Sequence, residues 1–254
     1  MSHGTDIIPR FLYNDAMYLA ERLADFAVNW NERSDLTTRA KTMLRLDNDI
    51  KTLQNFANRS YSAEMNTQKT VLQDLLGGIQ DDVKAAVEAG TSRIQTIATT
   101  WESILARSVW TQAIGSLTDS LAIHLINEVI EMTSIGQEEA YNIADAIVSA
   151  EELDKFFLPS RLSGESAPVR QHDDDDEEIP LTDRYAPNWL RLKYLSQVLQ
   201  SNLVDVKYLW CEGQLSLYFA VEEVVDLIKA SFEDNHKTRE TIREIQAKPA
   251  LTEL

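Results

Sequence analysis

An all-α fold, built as elongated multi-helix bundles, is what this sequence predicts, and three observations carry the prediction. Apolar residues recur at alternating steps of three and four along most of the chain, the signature of one helix face. No segment alternates with period two over a convincing length, so no strand is expected. The six prolines stand near the start, in a cluster from Pro159 to Pro187, and at Pro249. They leave two long reaches in which helices are not broken.

The first helix is expected from Pro9 or Asn14 onward, with Leu12, Ala16, Leu19, Leu23, Phe26 and Trp30 as its stripe and Asn14 as a candidate cap. A second stripe runs from Leu36 through Ala40, Met43, Leu46, Ile50 and Leu53 to Ala57, and a third from Leu72 through Leu75, Ile79 and Val83 to Ala86. Gly77 and Gly78 interrupt the third and predict a kink or break. After Gly90 come Ile94, Ile97, Trp101 and Leu105, and then Trp110, Ile114, Leu117, Leu121, Leu125 and Val129. Ser134 followed by Gln137 reads as a capping box for a helix through Ile143 and Ile147 to Phe157. Beyond the proline cluster one helix is expected from Trp189 to Trp210, with Pro187 in its first turn and Gly213 as its stop. Val221, Val224, Ile228 and Phe232 form a further stripe, and Asn235 is a candidate cap for a last helix through Ile242 and Ile245.

The division expected is a helical bundle over 1–158, an acidic, proline-containing disordered linker over 159–186, and a second helical bundle over 187–248. Single amphipathic helices do not outweigh the entropy of ordering them, so the stripes must meet in bundles.

Composition narrows the function. A net charge of −17 opposes duplex nucleic acid and anionic membrane surfaces as main partners, since both need a positive field. No run of apolar residues is long enough to span a bilayer, and the amino end lacks the apolar core of a secretion signal, which makes the cytosol the expected address. The lone Cys211 is expected as a buried free thiol.

Asp173, Asp174, Asp175, Asp176, Glu177 and Glu178 are the candidate site residues. Their spacing fits the paired aspartates by which all-α prenyl-transferring enzymes hold magnesium, but that chemistry needs a helix lining an apolar cavity with basic residues opposite. Here the acids sit between prolines in a polar stretch. They read as a solvated linker or as an acidic segment that docks a partner. His3, His124, His172 and His236 are isolated from one another, with no second ligand at metal spacing, and the five tryptophans fall on or beside stripes, which makes them core residues. No phosphate-binding loop, nucleophile elbow or CxxC pair occurs. The expectation is a protein without enzymatic activity or cofactor.

Three passages resemble the carboxy-terminal part of the Zeste-white-ten family of vesicle-tether and kinetochore proteins, related to the yeast Dsl tethering subunit. They are Asn14, Asp15, Met17, Tyr18, Leu19 and Ala20; Ala113, Gly115 and Leu117; and Pro187, Trp189, Leu199, Gln200, Trp210, Gly213, Leu227, Ile228 and Phe232 in order. The resemblance implies a non-enzymatic scaffold subunit of a tethering complex in Golgi-to-endoplasmic-reticulum transport. Its carboxy-terminal part would bind a large α-solenoid subunit and contact SNARE proteins indirectly. It would sit peripherally on the endoplasmic reticulum membrane without inserting, with a kinetochore role through Rod and Zwilch partners in animals. The family's amino-terminal coiled portion has no counterpart here, which implies a fragment or an unusually short chain. Two other functions fit the residues: an all-α magnesium-dependent prenyl-transferring enzyme, and a stand-alone adaptor capturing basic peptides through the acidic loop.

Overall fold

A computed structural model describes residues 8–33, 35–39, 44–77, 82–162 and 178–248. Every regular element among them is helical, and no strand occurs among the described residues. The all-α expectation is met.

The helices are α1 (Ile8–Glu32), α2 (Asp47–Leu76), α3 (Val83–Glu102), α4 (Arg107–Glu131) and α5 (Gln137–Ala150), then the short α6 (Pro159–Leu162) and α7 (Thr182–Tyr185). They are followed by α8 (Trp189–Gln200), α9 (Leu203–Cys211), α10 (Val221–Ser231) and α11 (His236–Ala247). Two 3₁₀ turns, Glu151–Phe156 and Leu215–Leu217, lie between them.

Two compact units emerge, one of residues 1–70 with 100–106 and one of residues 71–99 with 107–254. In the first, Ala16 and Ala20 of α1 and Ala57 and Met65 of α2 are buried, as are Trp101 and Leu105. Small residues let the helices approach, and the rings of Tyr13 and Tyr61 meet with centroids 5.5 Å apart. Asn14 lies inside α1 rather than capping it, and its amide donates a hydrogen bond to the carbonyl of Ile104. Ile50, Leu53 and Ala57 of the second stripe and Leu72 and Leu75 of the third fall on the single 30-residue helix α2, which begins only at Asp47, whereas Val83 and Ala86 of the third fall on α3. Helix α2 ends at Leu76, ahead of the glycine pair, as the break at Gly77 predicts.

The second unit is organised around α4. Twelve of its residues, from Trp110 to Val129, are buried, and they cover more than half of its circumference, leaving Gln112, Ile123 and Asn127 on a narrow exposed strip. Helices α7, α8 and α10 pack on it, α5 packs along α8, and α9 and α10 pack on α11. Helix α3 runs through Gly90, where an added Cβ would meet side-chain carbons of Leu121 and Leu76 at 3.2 and 3.3 Å. Trp110 donates its indole N–H to the carbonyl of Ala98 at 2.8 Å.

Further local expectations are corrected. Helix α5 starts after Gly136, not at Ser134; the Glu139 carboxylate reaches back to the Gly136 N–H at 3.2 Å. The stretch from Trp189 to Trp210 is two helices, because the Asn202 side chain accepts from the N–H groups of Val204 and Asp205 at 2.9 and 3.1 Å and starts a new one. Cys211 is only half-buried, since it ends α9 instead of facing the interior. Asn235 does cap α11, accepting from the Thr238 N–H at 3.1 Å. Trp101, Trp110, Trp189 and Trp210 are core residues, whereas Trp30 is half-exposed.

Candidate interaction surfaces

Asp154, in the turn after α5, organises the base of the acidic run. One carboxylate oxygen accepts from the indole N–H of Trp189 at 2.7 Å and from the Thr182 hydroxyl; the other accepts from the Lys193 ammonium at 2.6 Å. Lys193 also pairs with Glu151 at 3.2 Å. Burial opposes the charge of Lys193, but the hydrogen bond and field of Asp154, with those of Glu151, outweigh it and raise its pKa above the ordinary lysine value. The hub fastens α5 to α7 and α8 by bonds in which a charged partner strengthens each contact. Sequence reasoning missed it, because Glu151, Glu152 and Asp154 carry no periodic or motif signal.

The residues flanking the run are tied to one another. The Leu181 N–H donates to the Phe157 carbonyl at 2.9 Å, and the Ser160 hydroxyl donates to Glu178 at 2.7 Å. Phe157 stacks on Tyr185 with ring centroids 5.9 Å apart. Of the six candidate acids, Glu178 is therefore engaged with Ser160. Asp173, Asp174, Asp175, Asp176 and Glu177 lie outside the described residues, as do His3 and His172. His124 is half-buried on α4 with its imidazole 3.9 Å from Glu128, and His236 is exposed at the start of α11.

Three further features of the second unit face solvent. A groove of about 510 Å³ opens between the start of α5, the α8–α9 break and the end of α10; Ile135, Tyr141, Val198 and Phe232 line it, with Asp205 and Glu233 among its polar groups. Next to the capped start of α9, Val204 and Tyr208 are 55% and 63% exposed, four residues apart on one helix face. On α5, Tyr141 and Val148 are 46% and 52% exposed and seven residues apart. Large apolar side chains so placed offer anchors to a protein partner. The apolar stripes of the sequence could not reveal them, since those stripes mark the inward faces.

Arg191 links α8 to α10 through Glu223 at 2.6 Å and lies over the Phe219 ring at 5.0 Å. The N–H and side-chain amide of Asn188 donate to Asp119 at 2.8 and 3.1 Å, fixing the start of α8 on α4. These contacts hold α8 against α4 and α10. No helix is long and apolar enough to cross a membrane among the described residues.

Residues 85–245 match the family model of the ZW10 C-terminal helical domain. Among curated relatives, a rat centromere/kinetochore protein zw10 homolog is 22% identical over 252 residues, covering 92% of this chain and 31% of its own length. The Drosophila grimshawi centromere/kinetochore protein zw10 is 20% identical over 206 residues, covering 77% of this chain and 26% of its own. The chain thus spans about a third or less of the relatives it matches.

Proposed function

This chain belongs to the ZW10 C-terminal helical domain family, and on that premise we propose that it is a non-enzymatic scaffold subunit of a vesicle-tethering complex acting in Golgi-to-endoplasmic-reticulum transport. Its second unit is the part held by a large α-solenoid subunit, with SNARE proteins reached only through the assembly. The observation that carries this reading is the family match over 85–245, which falls largely on the second unit. The exposed residues Tyr141, Val148, Val204 and Tyr208 of that unit are the proposed anchors, and the acidic run from Asp173 to Glu178 is a secondary docking segment for basic partner surface. In the cell the protein is cytoplasmic and associates peripherally with the endoplasmic reticulum membrane through its partners.

A kinetochore role is the second reading, favoured by the relatives, which are centromere/kinetochore proteins. One experiment addresses both. The chain, immobilised, is offered the solenoid tethering subunit and, separately, kinetochore partner proteins at micromolar concentration. Retention of the solenoid subunit is expected for the first reading. Retention of kinetochore proteins alone would replace it with the second, and retention of neither would contradict both.

A further inference from the structure

Leu12, Leu19 and Phe26 of α1 stand seven residues apart, and all three are exposed, at 39%, 51% and 50%. Residues at that spacing lie within about 20° of one face of a helix, so the three form a straight apolar ridge. Beside them Leu23 and Trp30 are only half-buried. The same helix buries Ala16 and Ala20, so it is already packed on another side and the ridge is surplus to the packing of its own unit. Hydrophobic seams of this spacing are what helices use to pair with other helices.

The charges beside the ridge select the occupant. Asp15 and Arg22 lie on the same flank, one turn on either side of Leu19. If two copies of α1 lie antiparallel about a two-fold axis near Leu19, Leu19 meets its counterpart and Leu12 meets Phe26 at both ends. The same register sets Asp15 of each copy beside Arg22 of the other, twice by symmetry. A parallel pairing would put the charged flanks of the two copies on opposite sides of the seam, where Asp15 and Arg22 face the apolar flank of Ala16 and Leu23 and form neither ion pair. Within one chain Arg22 donates to the Tyr18 hydroxyl at 2.9 Å and lies 4.0 Å from Asp25. Those contacts lie on the side of Arg22 away from the ridge, and pairing with Asp15 of a second copy would replace the long contact to Asp25. The other charged groups of this stretch are Glu21 and Asp25; by helical phase Glu21 falls on the far side and Asp25 beyond Arg22.

We propose that α1 is a self-association helix through which two copies of this chain pair antiparallel, with Leu12, Leu19 and Phe26 as the seam and reciprocal Asp15–Arg22 ion pairs setting the direction.

Sedimentation equilibrium on the whole chain, from submicromolar to about 100 µM, tests it. The expected result is a monomer–dimer equilibrium. Leu19→Glu, at an exposed position, should weaken it by at least tenfold with an unchanged helical circular-dichroism spectrum. Asp15→Arg and Arg22→Asp should each weaken it by roughly tenfold, through loss of two exposed ion pairs and creation of repulsion, and the double variant Asp15→Arg with Arg22→Asp should restore the original dissociation constant. A monomer at every concentration, a dimer indifferent to Leu19→Glu, or charge reversals that do not restore each other would overturn the proposal.

Discussion

A methyl group at position 115 would lie 2.5 Å from the Cβ of Tyr185 and 2.6 Å from its carbonyl oxygen, distances at which atoms overlap. Gly115 therefore lets α4 and α7 come together, and half of that contact is backbone that has no rotamer to yield. Gly115→Ala should lower stability by about 1–3 kcal/mol, read as a drop of several degrees in Tm by thermal circular dichroism. The Asp154 hub makes a second prediction. Because the folded-state pKa of Lys193 is raised, its contribution is complete below the unfolded value and drains away as pH rises through the folded one. The denaturation midpoint should thus fall as pH climbs past the ordinary lysine value of 10.5, and the fall should be shallower in Lys193→Met. Neither site was legible as a site. Gly115 appeared only as part of a family resemblance, and Asp154 not at all, because each acts through residues about 30 to 70 positions away.

At the scale of elements, helix positions were legible and helix ends much less so. The stripes at Trp110–Val129 and Val221–Ile228 fall on α4 and α10 because burial of a face repeats with the helical period. The stripe from Trp189 to Trp210 also held its phase, yet the helix breaks, since periodicity records which way side chains face and not whether the backbone hydrogen bonds continue. At Ser201 and Asn202 the amide side chain competes for the N–H groups of the next turn. Asn202→Ala should cost about 1 kcal/mol, measured by urea denaturation with an unchanged m-value. A variant as stable as the parent would mean that the cap does not hold the break. The same logic explains α5: Gly136 has no side chain to cap with, and Glu139 supplies the returning bond instead.

For the whole molecule, the fold class came directly from the sequence, whereas the pairing of helices across it did not. Helix α5 packs on α8, and the stems at Phe157 and Leu181 are bonded to each other, although a run of acids and prolines separates them in sequence; contacts of such range leave no periodic trace. The outward residues Tyr141, Val148, Val204 and Tyr208 were equally silent, because a single exposed apolar residue is ordinary on any surface. The central claim is that this helical body works by being held, through those anchors, by an α-solenoid subunit. Titrating the folded chain with that purified subunit, beside a Tyr141→Asp, Tyr208→Asp double variant of unchanged helicity, tests the claim most directly. Micromolar or tighter binding that the double variant weakens by at least tenfold is the predicted result; no binding by the parent chain, or equal binding by both, would contradict it.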